Sequence, residues 1–227
     1  MLRERELKLG KLDAFRMELF NVFESGARIL LDEYPPFNKT SNDHNSSPHL
    51  VIVGMGHIGE NLIVNATRKW LDRSKNNSGL LRFSLIDKEA VKKKESLYLR
   101  YPKLKKVCDL MPVEADIRTL EFNQTKFIFN EQVQSGVTIV YICMDNDLDA
   151  LRAGLAIRQQ FMALDTPIVI SMIQDKGPAI LLKGGEDKQD IFNNLHIFGI
   201  LEHTCTPDLI SRCTYEILAR AIHADYV

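Results

Sequence analysis

The run Leu50-Val51-Ile52-Val53-Gly54-Met55-Gly56-His57-Ile58-Gly59 constrains this chain more than any other stretch of it. Its first four residues are apolar and mostly β-branched, which suits a strand buried on both faces of a parallel sheet. A G-x-G-x-x-G spacing follows at once, and the residues after it carry the mixed pattern of a helix. Gly54 permits a tight strand-to-helix turn, Gly56 lets a pyrophosphate approach the backbone, and Gly59 lets the helix pack close to the strand. The first amides of such a helix lack intrahelical acceptors and lie at the positive end of its dipole, so they form an anion site. A glycine turn with no ligand is the alternative. The strand before and the helix after favour a nucleotide.

Beyond this motif, strand-like and helix-like segments alternate. Leu80 to Ile86 reads as a second strand ending at Asp87, Val107 to Val113 as a third, Val137 to Cys143 as a fourth, Pro167 to Met172 as a fifth and Leu195 to Leu201 as a sixth. Helices are expected over 58–72, through the lysine-rich stretch to 106 with a break at Tyr101-Pro102, near 123–134, from an Asp145-Asn146-Asp147 cap to 161, near 187–194, and from 207 onward. This order predicts an α/β fold, a Rossmann-like doubly wound parallel sheet with helices on both faces. Residues 1–33 read as an N-terminal amphipathic helix, with Leu12, Phe15, Leu19, Val22, Phe23 and Leu30 on one face. Residues 34–48 read as a flexible linker opened by Pro35-Pro36, 49–205 as the nucleotide-binding domain and 206–227 as a C-terminal helix.

Composition narrows the partners. In 227 residues acidic and basic side chains nearly balance, with a formal net charge of -1, so nothing draws the chain to nucleic acid. Its 4 cysteines have no metal-ligand spacing and read as free thiols in a reducing compartment. Residues 1–30 carry charges of both signs, unlike a secretory signal, and no apolar stretch is long enough to cross a bilayer. The expected location is cytoplasmic, including as the soluble part of a membrane-associated protein.

Candidate site residues follow from position. An acid at the end of the second strand, here Asp87, accepts hydrogen bonds from the adenosine ribose and repels a 2′-phosphate, which favours NAD or NADH over NADP. Lys88, Lys92, Lys93 and Lys94 lie just beyond it. Such lysines ordinarily form a solvated helix face, but one folded back would accept a 2′-phosphate or bind other phosphates. Asp116 follows the third strand, either beside the adenine edge or as a loop cap. Cys143, Met144, Asp145 and Asn146 end the fourth strand, where ligands of open parallel sheets bind; Asp145 and Asn146 could equally cap the next helix. His57 either turns to the phosphates or stands exposed at the helix start. The candidate site is therefore Gly54, Met55, Gly56, His57, Ile58, Gly59, Asp87, Lys88, Asp116, Cys143, Met144 and Asp145.

No catalytic half accompanies these residues. There is no Ser-x-x-x-Tyr-x-x-x-Lys array, nucleophile elbow or metal cluster, His196 and His203 flank an apolar strand as packing or edge residues, and His223 belongs to no catalytic pattern. A bound cofactor without chemistry to perform points to sensing rather than catalysis. The alternative is an NAD-dependent oxidoreductase whose catalytic part lies outside this chain.

The joint pattern of His49 to Glu60, Leu85-Ile86-Asp87, Glu114-Ala115-Asp116 and Val137 to Cys143 followed by Asp145-Asn146-Asp147 and a helix with Leu151, Ala153 and Leu155 resembles the TrkA-N module, also called the RCK or KTN domain, of potassium channels and transporters. The resemblance covers roughly residues 49–173. It implies a regulatory domain, usually dimeric, that binds NAD(H) or another adenine nucleotide such as ATP or ADP and controls a membrane ion pathway. It would place Gly54, Gly56, His57, Ile58 and Gly59 on phosphates, Asp87 on ribose and Asp116 near adenine. The family usually has glycine where Ala115 stands. The ending Leu218 to Val227 resembles the opening helix of an RyR-type domain.

Overall fold

The computed structural model of the chain describes residues 21–37, 48–73, 79–119, 137–160, 166–174 and 194–205. The expected helices near 123–134 and from 207 onward, and all but the end of the one near 187–194, lie outside these residues. So do most of the linker, including His44, and Cys213 and His223.

The described residues form six parallel strands: β1 His49–Val53, β2 Leu81–Asp87, β3 Cys108–Glu114, β4 Val137–Ile142, β5 Ile168–Met172 and β6 Leu195–Gly199. Their order across the sheet is β3-β2-β1-β4-β5-β6, and every neighbouring pair runs parallel. This is the Rossmann-like arrangement, in which strand order reverses between β1 and β4. The five residues of β1 and of β5 are all buried, as expected of central strands covered on both faces.

Side chains alternate along each strand, so one sheet supplies two cores. On one face Leu50, Ile52, Phe83, Leu85, Tyr141, Val169 and Phe198 pack with Leu62 and Ile63 of α2 (His57–Arg73) and Leu97 of α3 (Ala90–Arg100). On the other, Val51, Val53, Ile86, Val140, Ile142, Ile168 and Ile170 pack with Ala150, Ala153 and Ile157 of α4 (Asp147–Gln160). Pro102–Lys106 forms a short 3-10 turn after α3, at the break expected from Tyr101-Pro102.

The first face extends over β4, β5 and β6, and α1 (Val22–Glu33) covers it there. Ala27, Leu30 and Leu31 are buried, Tyr34 accepts a 2.6 Å hydrogen bond from the Tyr141 hydroxyl through its carbonyl, and Glu33 meets His203 at 3.3 Å. Full burial of Leu30 and Leu31 contributes about 1.5–3 kcal/mol each. The described part of the helix begins at an extended Asn21 whose Oδ1 accepts from the amides of Phe23 and Glu24, which interrupts the single helix expected over 1–33; residues 1–20 of that helix lie outside the described residues. A side-chain cap of this kind satisfies orphan amides and fixes a start that periodicity alone overruns. After the helix, Pro36 and Phe37 are buried rather than solvated, with Phe37 packed on Trp70 and beneath Arg73.

The sixth strand is shorter than its apolar run. Ile200 and Leu201 open α5 (Ile200–Thr204), where Ile200 is buried and the Leu201 amide donates to the Ile173 carbonyl. A continuous apolar run does not distinguish a strand from a buried helical turn. His196 lies on the edge strand against Tyr34, and His203 stacks on Phe198, both as packing residues. Among the described residues no helix is long and apolar enough to cross a membrane.

Candidate functional site

Where β1 and β4 part, the chain turns through Gly54. Its amide donates to the Ile86 carbonyl and the Cys143 amide donates to the Val53 carbonyl at 2.7 Å, so the ends of β1, β2 and β4 are tied level. Gly54 has φ +90°, in the left-handed region that side chains rarely adopt, and a Cβ there would lie 2.6 Å from the Cys143 carbonyl oxygen. A Cβ on Gly59 would overlap the Gly54 carbonyl, which accounts for the third glycine. The first bond of α2 runs from the Glu60 amide to the Gly56 carbonyl at 3.1 Å. The amides of His57, Ile58 and Gly59 therefore have no acceptor within the helix.

These ends enclose a crevice of about 180 Å³ lined by Gly54, Gly56, Ile86, Asp87, Lys88, Lys93, Ala115, Ile117, Cys143, Met144 and Asp145. Seven sequence-predicted residues thus meet there: Gly54, Gly56, Asp87, Lys88, Cys143, Met144 and Asp145. The others surround them in different roles. Met55 is buried in the core but its amide donates to Asp87 Oδ2 at 2.8 Å. Ile58 is buried against the α1 face, with Cδ1 3.5 Å from where a Cβ on Gly26 would stand. His57 is exposed and its ring is stacked on Phe23 of α1.

Asp87 joins three elements. Its Oδ1 accepts from the Glu89 amide at 3.0 Å, and its Oδ2 accepts both from the Met55 amide and from Lys93 Nζ, each at 2.8 Å. Burial raises its pKa, but the amide of Glu89, the Lys93 ammonium and the amide of Met55 together outweigh burial and hold the carboxyl below its ordinary range. Asp116 stands just outside the lining. Its carboxylate pairs with Lys88 at 2.9 Å and accepts from the Arg118 amide, the geometry of a loop cap, and the Lys88 hydrogen bond, with that amide, lowers its pKa. Arg118 in turn holds the buried Asp149 through Nε at 3.0 Å.

The end of β4 divides its polar residues. Asn146 caps α4, its Oδ1 accepting from the Asp149 amide at 3.1 Å. Asp147 accepts from the Ile173 amide at 2.8 Å and ties α4 to the end of β5. Asp145, which sequence position alone allowed as a cap, is exposed and lies instead across from Gly56: a Cβ there would come within 2.6 Å of its Oδ1. A carboxylate thus occupies the notch that the missing side chain leaves, and the notch admits anionic oxygens at close range. Cys143 forms part of the floor, 3% exposed, with burial and then the nearby Asp145 charge pushing its thiol pKa well up. It is a wall rather than a nucleophile.

Position along the sequence did not single out Ile86, Ala115 and Ile117, nor choose Lys93 from its neighbours. The alternation Ala115, Asp116, Ile117 after β3 was the available signal, since every second residue turns the same way. Among the described residues no group of three or more histidine, cysteine or acidic side chains is placed to hold a metal ion. No family model, curated protein or solved structure matches the chain.

Proposed function

We infer that this domain binds an adenine nucleotide, with the diphosphate over Gly54-Met55-Gly56 and the adenosine toward Asp87 and Ile117. NAD or NADH ranks ahead of ATP and ADP, and the rank of NADP turns on whether Asp87 is free to repel a 2′-phosphate. The notch at Gly56 carries the reading: side-chain oxygens of Asp145 already lie where a phosphate would approach the backbone, at the amide end of α2. The position of the crevice at the strand-order reversal supports it, because ligands of open parallel sheets bind there.

The role is regulatory rather than catalytic. The resemblance to TrkA-N modules supports a homodimer on the cytoplasmic side of a potassium channel or transporter, with nucleotide binding shifting an equilibrium between two states through its different affinity for each.

A ligand that binds only the native state raises the melting temperature, by an amount equivalent to about 2.7 kcal/mol at a hundredfold excess over Kd. Melting the protein with NADH, NAD, NADPH, ATP and ADP is the test. A rise with at least one of them supports the assignment, and no rise with any defeats it.

A further inference from the structure

The inference drawn here rests on the nucleotide reading and concerns which ribose the site takes. A free aspartate at the end of β2 discriminates by offering two acceptors to a ribose diol and a negative charge to a 2′-phosphate. Asp87 is not free. An ionised carboxylate has about four lone-pair sites, and those of Asp87 already take the amides of Met55 and Glu89 and the Lys93 ammonium. Both lone pairs of Oδ2 are thereby committed, and Oδ1 has room for one further donor.

Lys93 is the decisive member. It sits in the first turn of α3, folds back into the crevice wall and cancels the charge that would repel a 2′-phosphate. Lys88 lines the same wall and is held by Asp116 at the exposed rim, where a stronger anion can compete for it. Two lysines against two aspartates leave the ribose end without net charge.

We propose that Lys93 rather than Asp87 sets ribose selectivity, and that the crevice accepts an adenine nucleotide bearing a 2′-phosphate, such as NADPH, about as well as the unphosphorylated form. A 2′-phosphate takes the ammonium of Lys93 from Asp87; a diol uses the remaining lone pair of Oδ1 and leaves the ion pair closed.

The test is a titration of the intact chain with NADH and NADPH, with 5′-ADP and 2′,5′-ADP as the matching adenosine fragments. The expected result for the wild type is a Kd for NADPH within about tenfold of that for NADH. Lys93→Met exposes the Asp87 charge and frees a lone pair, so the two ligands move in opposite directions. NADPH weakens at least about tenfold, the loss of a charge-assisted hydrogen bond, and NADH tightens about threefold, the gain of an ordinary one. Lys93→Arg retains NADPH binding. A wild-type preference for NADH beyond tenfold, or a Lys93→Met effect absent or of the same sign for both, overturns the proposal while leaving nucleotide binding intact. If no adenine nucleotide binds, the nucleotide reading itself fails and this inference falls with it.

Discussion

The ring of His57 stacks on that of Phe23, centroids 5.1 Å apart and planes 24° from parallel. His57 belongs to the glycine motif and Phe23 to the helix before the sheet, so two distant stretches of sequence meet at the helix end proposed to face a diphosphate. Phe23→Ala is expected to lower stability by about 1 kcal/mol, and Phe23→Leu by less, because leucine keeps part of the burial and loses only the ring contact. Urea midpoints measure both, and equal midpoints for the wild type and Phe23→Ala would show that the stack contributes nothing.

Gly54 and Gly56 separate folding from binding. Gly54→Ala meets an unfavourable backbone angle and an immobile carbonyl, so it is expected to cost about 3 kcal/mol, or roughly 6–12 °C in melting temperature for a chain of this size. At Gly56 the three heavy atoms nearest the new Cβ all belong to the exposed, rotatable end of Asp145. Gly56→Ala is therefore expected to keep stability within about 0.5 kcal/mol while weakening nucleotide binding at least tenfold. Melting curves paired with nucleotide titrations check the contrast. A stable Gly54→Ala protein would remove the strain argument.

Much of this architecture is legible in the linear pattern because it is made locally. The buried run of β1, the glycine turn and the helix after it need only neighbours in sequence, and Asp87 follows from where a second strand must end. The start of α1 was not legible in the apolar stripe, since the Asn21 cap outweighs a periodicity that continues through it. The positions of Asp145, Lys93 and His57 were not legible either. Each faces two or three chemically reasonable partners, and only the packing of β4, α3 and α1 around the turn decides among them.

Asp145 competes for the place where a diphosphate would lie. Replacing it with asparagine removes one negative charge a few ångströms from the incoming phosphates, and two unit charges at 4 Å interact by about 1 kcal/mol even in water. Asp145→Asn is expected to tighten NADH and ADP binding about fivefold at low salt, with a smaller gain at high salt. Calorimetric titration at two ionic strengths is the check, and weaker binding would mean that the carboxylate assists the ligand instead.

His49 gives the domain a pH dependence at the opposite end of β1. It is 2% exposed, with Nε2 2.9 Å from the Ser84 hydroxyl, and burial, followed by the Arg82 charge, lowers its pKa from 6.5 to about 4, against a smaller opposing effect of Asp109. Between these values the unfolded chain holds the proton and the folded chain does not. Stability is therefore full above about pH 6.5 and falls as pH drops toward 4, by up to about 3 kcal/mol. Urea unfolding at pH 7 and pH 5 should show the loss, and His49→Gln should remove most of it. Equal pH slopes in the two proteins would exclude His49 as the cause.

The helix made before the sheet finishes its packing only after the sheet is complete. Ala27, Leu30 and Leu31 point toward a surface completed by Tyr141, Phe198 and Ile200, and Gly26 lies against Ile200, on the far side of nearly the whole sheet in chain order. While the chain grows, the stripe meets α2 early, at Ile58, but the rest of its native cover is complete only once residues near 200 have left the ribosome. The nascent protein therefore carries a half-covered apolar face through much of its translation, the kind of surface that chaperones hold.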